Sequence, residues 1–67
     1  MRVGAKYRHY KGGDYEIVDL SFEPETSERQ VTYRREDGSD ETWTCSLASF
    51  LKIVELDGRK TTRFRRI

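Results

Sequence analysis

Apolar side chains alternate with polar ones along most of this chain, and the longest unbroken apolar stretches are pairs such as Ile17-Val18 and Ile53-Val54. Turn signals punctuate the alternation at Gly12-Gly13, Asp37-Gly38 and Asp57-Gly58, and Pro24 lies in a polar stretch over residues 23–28. Each fits a chain reversal with glycine at positive φ. The segments between them, residues 6–10, 15–22, 30–36, 41–45 and 52–56, are rich in β-branched and aromatic residues and predict five strands. In the second, strict alternation sets Glu16, Val18, Leu20 and Phe22 against Tyr15, Ile17 and Asp19. Its apolar content is thereby split between two faces, as in a strand shared by two packed sheets. In the third, Val31 and Tyr33 alternate with Thr32 and Arg34; in the fourth, Trp43 opposes Thr42 and Thr44, which places Trp43 toward a core.

Between the fourth and fifth segments the period changes. Ser46 offers a hydroxyl cap to Leu47-Ala48-Ser49-Phe50-Leu51, in which Leu47, Phe50 and Leu51 fall at i, i+3 and i+4. The pattern predicts one or two helical turns closing the end of a barrel. The tail, residues 59–67, reads either as a last edge strand with Phe64 inward or as mobile chain. Five short strands, tight turns and a helical turn before the last strand predict one mainly β domain over residues 1–67, a small SH3-like barrel; the five-stranded oligonucleotide-binding barrel is a rival that usually needs a longer chain.

Composition narrows the function. A chain of 67 residues holds one small domain with a thin core and no room for an enclosed cofactor cavity. No apolar stretch approaches the roughly 20 residues of a membrane span, and no apolar leader is evident. The single cysteine, Cys45, cannot form an internal disulfide, so a reducing cytoplasm is the expected compartment. The net charge is only +1 but is unevenly spread. Arg2, Lys6, Arg8 and Lys11 make the start basic, whereas Asp14, Glu16, Asp19, Glu23, Glu25 and Glu28 make the next stretch acidic. Arg59, Lys60, Arg63, Arg65 and Arg66 return the end to basic. The simple expectation is that the basic ends lie near the acidic hairpin and partly neutralise it. The sharper one joins Arg2, Arg8, Lys11, Arg63, Phe64, Arg65 and Arg66 into a phosphate-tracking face with Phe64 as a stacking ring.

The run Tyr7-Arg8-His9-Tyr10-Lys11-Gly12, followed by Tyr15, resembles the opening signature of a small bacterial family catalogued as domain of unknown function 1653. Glu25-Thr26 with Glu28, Val31 with Tyr33-Arg34, and Trp43, Phe50, Val54, Gly58 and Arg63-Phe64 are similar to its later landmarks, so the resemblance covers almost the whole chain. It implies a compact, mainly β domain of SH3-like character with no established activity, substrate or cofactor. The sequence departs from that pattern at Glu23, where histidine is common, at Cys45 and Ser46, where arginine-proline follows the tryptophan, and at Thr62, where proline precedes Arg63-Phe64. If the missing arginine serves an anionic ligand in relatives, that contact is altered here.

Catalytic chemistry finds little support. The only nucleophile and base are Cys45 and His9, and Cys45 stands where relatives carry arginine. One Cys and one His fall short of a metal set, so no metal or other cofactor is expected. Glu23, Glu25 and Glu28 read as an exposed loop, and Gly12-Gly13 lies between strands, unlike a phosphate loop. Eight aromatic residues exceed what so thin a core encloses, so some should reach the surface. Such rings form grooves in SH3-like barrels. The expected function is therefore a non-enzymatic binding module, monomeric or homodimeric, that recognises a protein or peptide through Tyr7, Arg8, His9, Tyr10, Lys11, Tyr15 and Trp43. If Arg8, His9 and Lys11 converge with tyrosines, the partner is anionic. A nucleic-acid partner is the alternative.

Overall fold

The computed structural model describes all 67 residues. The strands are β1 (Lys6–His9), β2 (Asp14–Glu23), β3 (Glu28–Arg35), β4 (Thr42–Ser46), β5 (Ile53–Leu56), β6 (Arg59–Thr62) and β7 (Phe64–Arg66), with the helical turn α1 (Leu47–Phe50) between β4 and β5. Five of them form one antiparallel sheet in the order β4-β3-β2-β1-β7, while β5 and β6 pair as a separate hairpin. The domain is thus mainly β, as expected, but two expectations are corrected. There are seven strands rather than five, and the main sheet is open, with β4 and β7 as its outer strands instead of a closed barrel.

The tail is ordered, and it supplies the two extra strands. Asp57 and Gly58 both hold positive φ, 52° and 77°, and form the two-residue reversal that matches strand twist between β5 and β6. The chain then enters β7 beside β1, so that Tyr7 faces Arg66 and Arg8 faces Arg65. The two basic ends therefore lie against each other. Of the acidic stretch only Asp14 and Glu16 reach them, Asp14 pairing with Arg8 at 2.8 Å and Glu16 with Lys6; Lys6 also pairs with Glu36, and Glu16 with Arg34 at 2.9 Å, all on the solvent face.

A β-bulge in β2 corrects the two-faced reading of that strand. Ile17 opposes Tyr33 and Leu20 opposes Val31, with the register shifting between Ile17 and Asp19. The extra residue puts Ile17 and Leu20 on the same face although three positions separate them. Uninterrupted alternation would have divided them.

That face carries the core. Ile17, Val31 and Phe50 are fully enclosed, joined by Ala5, Tyr15, Tyr33 and Phe64. Phe50 is delivered from α1 and stacks on Phe64, with ring centroids 4.2 Å apart and planes within 5°. Ser46 caps the turn as its sequence predicts, its Oγ accepting the Ser49 N–H at 3.0 Å. Ser46→Ala should lower stability by about 1 kcal/mol, measured as a shift of the urea midpoint; a loss of only a few tenths would mean that Phe50 packing alone holds the turn.

A candidate partner-binding groove

The expected site residues divide between core and surface. Tyr15 is buried, and its hydroxyl at the rim accepts from Arg35 Nη2 at 3.0 Å. Tyr7 is half-buried, edge-on to Phe50 at 5.2 Å. Arg8 turns to the solvent face and is held by Asp14. Trp43 lies opposite Thr42 and Thr44, but it is not the core residue expected: it sits on the outer strand β4, stacked on Tyr33 at 6.0 Å and still 37% exposed. The seven residues therefore make no single surface.

Three of them do converge. His9 ends β1, and Tyr10 and Lys11 follow it into the turn before β2. Tyr10 N–H donates to the carbonyl of Arg63 at 2.9 Å, and Arg63 N–H donates to the carbonyl of Lys52 at 2.8 Å. These backbone bonds tie the β1–β2 turn, the α1–β5 connection and the β6–β7 junction together at Arg63. His9, Tyr10, Lys11, Ser49, Lys52, Val54 and Arg63 consequently line one open groove of about 330 Å³. Lys11 Nζ lies 5.6 Å from the centroid of the Tyr10 ring, a reach typical of a cation over an aromatic face.

The Arg63 side chain is half-buried above the Phe64 ring, 5.4 Å away, and its Nη1 donates to Ser49 Oγ at 3.1 Å and to the Ser49 carbonyl at 3.4 Å. The groove lining contains no carboxylate. All five ion pairs of the protein use other cations: Lys6, Arg8, Arg34 and Arg35. One side of the sheet is thus largely neutralised, whereas the groove keeps its positive charge.

His9 feels this directly. Its Nδ1 accepts the Lys11 N–H at 3.1 Å, which places the proton of the neutral ring on Nε2. Burial against Tyr10 and Phe64, then the charges of Arg63 and Lys11, hold its pKa below the ordinary 6.5. A depressed pKa means that the unfolded chain takes up the proton first. Stability should accordingly be full above about pH 6.5, decline as pH falls, and level off below the folded-state pKa of His9. Urea midpoints compared between the parent and His9→Gln should show this slope only in the parent; equal slopes would remove His9 as its source.

Cys45, half-buried on β4, has its thiol pushed up by burial, against a smaller downward pull from Arg63. His9 and Cys45 belong to strands separated by β2 and β3, and no hydrogen bond joins them. The residues of the nucleic-acid reading are also dispersed. Phe64 is only 4% exposed and packs in the core, so it offers no ring to a base. Arg65 lies across from Arg8, Arg66 lies across from Tyr7, and Arg63 turns to Ser49. Side chains alternate across a strand, so the three arginines cannot share one face.

Sequence reasoning missed Ser49, Lys52 and Val54. Only their place in the helical turn, for Ser49, or just after it, for Lys52 and Val54, hinted at them, and nothing local reveals that this turn faces Tyr10. It also missed a second, apolar concavity of about 500 Å³ at the far end of the sheet, where Leu20, Phe22, Val31 and Leu47 meet Met1. The bulge in β2 is what brings Leu20 to that side.

No curated protein matches the chain. A crystal structure of a DUF1653 protein from Bordetella bronchiseptica is similar to it with a TM-score of 0.80 and 30% sequence identity, over 100% of this chain and 87% of that one. The sequence profile of DUF1653, described as a protein of unknown function, matches residues 5–66. With both the sequence and the fold matched over essentially its full length, the chain belongs to the DUF1653 family.

Proposed function

We propose that this domain is a non-enzymatic binding module that receives a peptide segment of a protein partner in the groove around Arg63. The observation that carries this reading is the convergence of Tyr10, Lys11, Ser49, Lys52 and Arg63 from three chain segments on one open concavity floored by His9. Arg and Tyr are the residue types that dominate binding surfaces, because they combine apolar area with directed hydrogen bonds. The raised Cys45 thiol, with no base beside it, supports a role without covalent catalysis. We read the domain as working without metal or cofactor. The SH3-like character implied by the family fits the bulged five-stranded sheet with its helical turn before the β5–β6 hairpin. A lone free thiol suits a reducing cytoplasm.

The test is an amide chemical-shift titration with pools of short acidic, neutral and basic peptides and, in parallel, a mixed single-stranded oligonucleotide at two salt concentrations. Saturable peptide shifts on Tyr10, Lys11, Ser49, Lys52 and Arg63 are expected. Shifts confined to Leu20, Phe22 and Leu47 would relocate the site to the apolar concavity. Salt-sensitive shifts with the oligonucleotide alone would replace the proposal by nucleic-acid binding.

A further inference from the structure

We infer that the groove is an acidic-peptide site, in which a carboxylate of the partner is held by the Arg63 guanidinium and the Ser49 hydroxyl, with Lys11 and Lys52 flanking it. The inference deepens the binding-module reading and rests on it. Arg63 is the anchor because its position is already determined: its backbone is bonded on both sides, to Tyr10 and Lys52, and its side chain lies on the Phe64 ring. Only Nη1 is engaged within the protein, and its partners are the neutral Ser49 carbonyl and hydroxyl. The remaining N–H groups of the fork are unused, and a planar carboxylate matches them in the two-bond geometry that a lysine cannot reproduce. Because Ser49 Oγ accepts from Arg63, its own proton is free to be donated to the same anion.

Charge favours an anion over a neutral peptide edge. Lys11, Lys52 and Arg63 have no carboxylate within ion-pair distance, in contrast to Lys6, Arg8 and Arg34 on the opposite face. A half-buried guanidinium without a counter-charge carries a desolvation cost that an incoming carboxylate offsets. The groups facing His9 are the cations Arg63 and Lys11 and the rings of Tyr10, Tyr15 and Phe64. An anion seated beside Arg63 weakens the repulsion that adds to burial in lowering the His9 pKa, so occupancy should raise it.

The experiment titrates the full chain at constant ionic strength with a blocked Gly-Glu-Gly peptide, its Gly-Gln-Gly counterpart, and inorganic phosphate, reading amide shifts, the Arg63 Nε signal and the His9 pKa. The glutamate peptide should shift His9, Lys11, Ser49, Lys52 and Arg63 and raise the His9 pKa, and the glutamine peptide should bind at least about tenfold more weakly, as expected for loss of a charge-assisted contact. Arg63→Gln should abolish this preference, and Arg63→Lys should restore it only in part. Should Arg63→Gln fail to fold, the double variant Lys11→Gln, Lys52→Gln, whose side chains are exposed, is expected to weaken the glutamate peptide by severalfold. Equal binding of both peptides would overturn the carboxylate inference while leaving the module reading intact. Response to phosphate without response to the glutamate peptide would overturn it in favour of a phosphate ligand. Silence toward every probe would overturn the inference and the module reading together.

Discussion

Replacing Phe50 with alanine is expected to remove about 3–5 kcal/mol, a large share of the domain's stability. Phe50 is fully enclosed and touches each part of the core: it stacks on Phe64 at 4.2 Å, meets the edge of Tyr7 at 5.2 Å and packs on Tyr33 at 5.7 Å. Deleting a buried phenylalanine ring costs about 3–5 kcal/mol, part from lost transfer energy and part from the cavity left behind. A chain of this length has a total stability of about 3–10 kcal/mol, so one ring accounts for a large share of it. The cavity should collapse poorly, because the sheet below is fixed by its hydrogen bonds and α1 above is a single turn. Urea unfolding followed by far-ultraviolet circular dichroism measures the loss. A destabilisation below about 1.5 kcal/mol would show that Leu47 and Leu51 can close over the gap.

Phe64→Ala should cost a similar amount but in a different place. Phe64 contacts Phe50, Tyr33, Tyr15 and His9, at centroid distances from 4.2 to 5.6 Å. It is also the only buried residue of β7, a strand joined to the sheet by three paired positions alone. Without the ring, little remains to hold that strand down, and local opening should precede global unfolding. Hydrogen exchange is therefore expected to speed up first at Ile67 and Tyr10, whose N–H groups donate across this junction to Lys6 and Arg63. Burial of His9 relaxes with it, so the His9 pKa should move back toward 6.5. Equal acceleration throughout β2 and β3 would instead make β7 an inseparable part of the core.

Features encoded within a few residues were legible in the sequence. The Ser46 hydroxyl and the i, i+3, i+4 spacing of Leu47, Phe50 and Leu51 announced α1, and Asp57-Gly58 announced its hairpin turn. Features that depend on partners distant in the chain were not. The bulge in β2 leaves the composition of that strand unchanged and alters only which face Leu20 occupies, so alternation gave the wrong face. The tail, crowded with Arg59, Lys60, Arg63, Arg65 and Arg66, hid two strands, because outer strands of a small sheet present most of their side chains to water and need only Phe64 and Thr61 turned inward. The same crowding assigned Arg63 to a basic surface with its neighbours. What singles it out is the Ser49 hydroxyl and the Lys52 carbonyl beside it, and no spacing rule predicts either contact. Tyr10 and Lys11 line the groove on a turn that Gly12-Gly13 already marks in the sequence.

The pairing of β1 with β7 also bears on the order in which the molecule assembles. β2, β3 and β4 are joined by short connections, and their contacts close small loops; the contact between Tyr7 and Arg66 closes nearly the entire chain. Ordering so long a loop costs entropy before any contact repays it, so distant pairings tend to form after local ones. The transition state should then contain the β2–β3–β4 meander with β7 still undocked. Mutations at Val31 would slow folding, whereas mutations at Phe64 would leave the folding rate almost unchanged and accelerate unfolding. The lifetime of the native state is thereby governed at the last strand to dock, the one that also positions Arg63 against the groove.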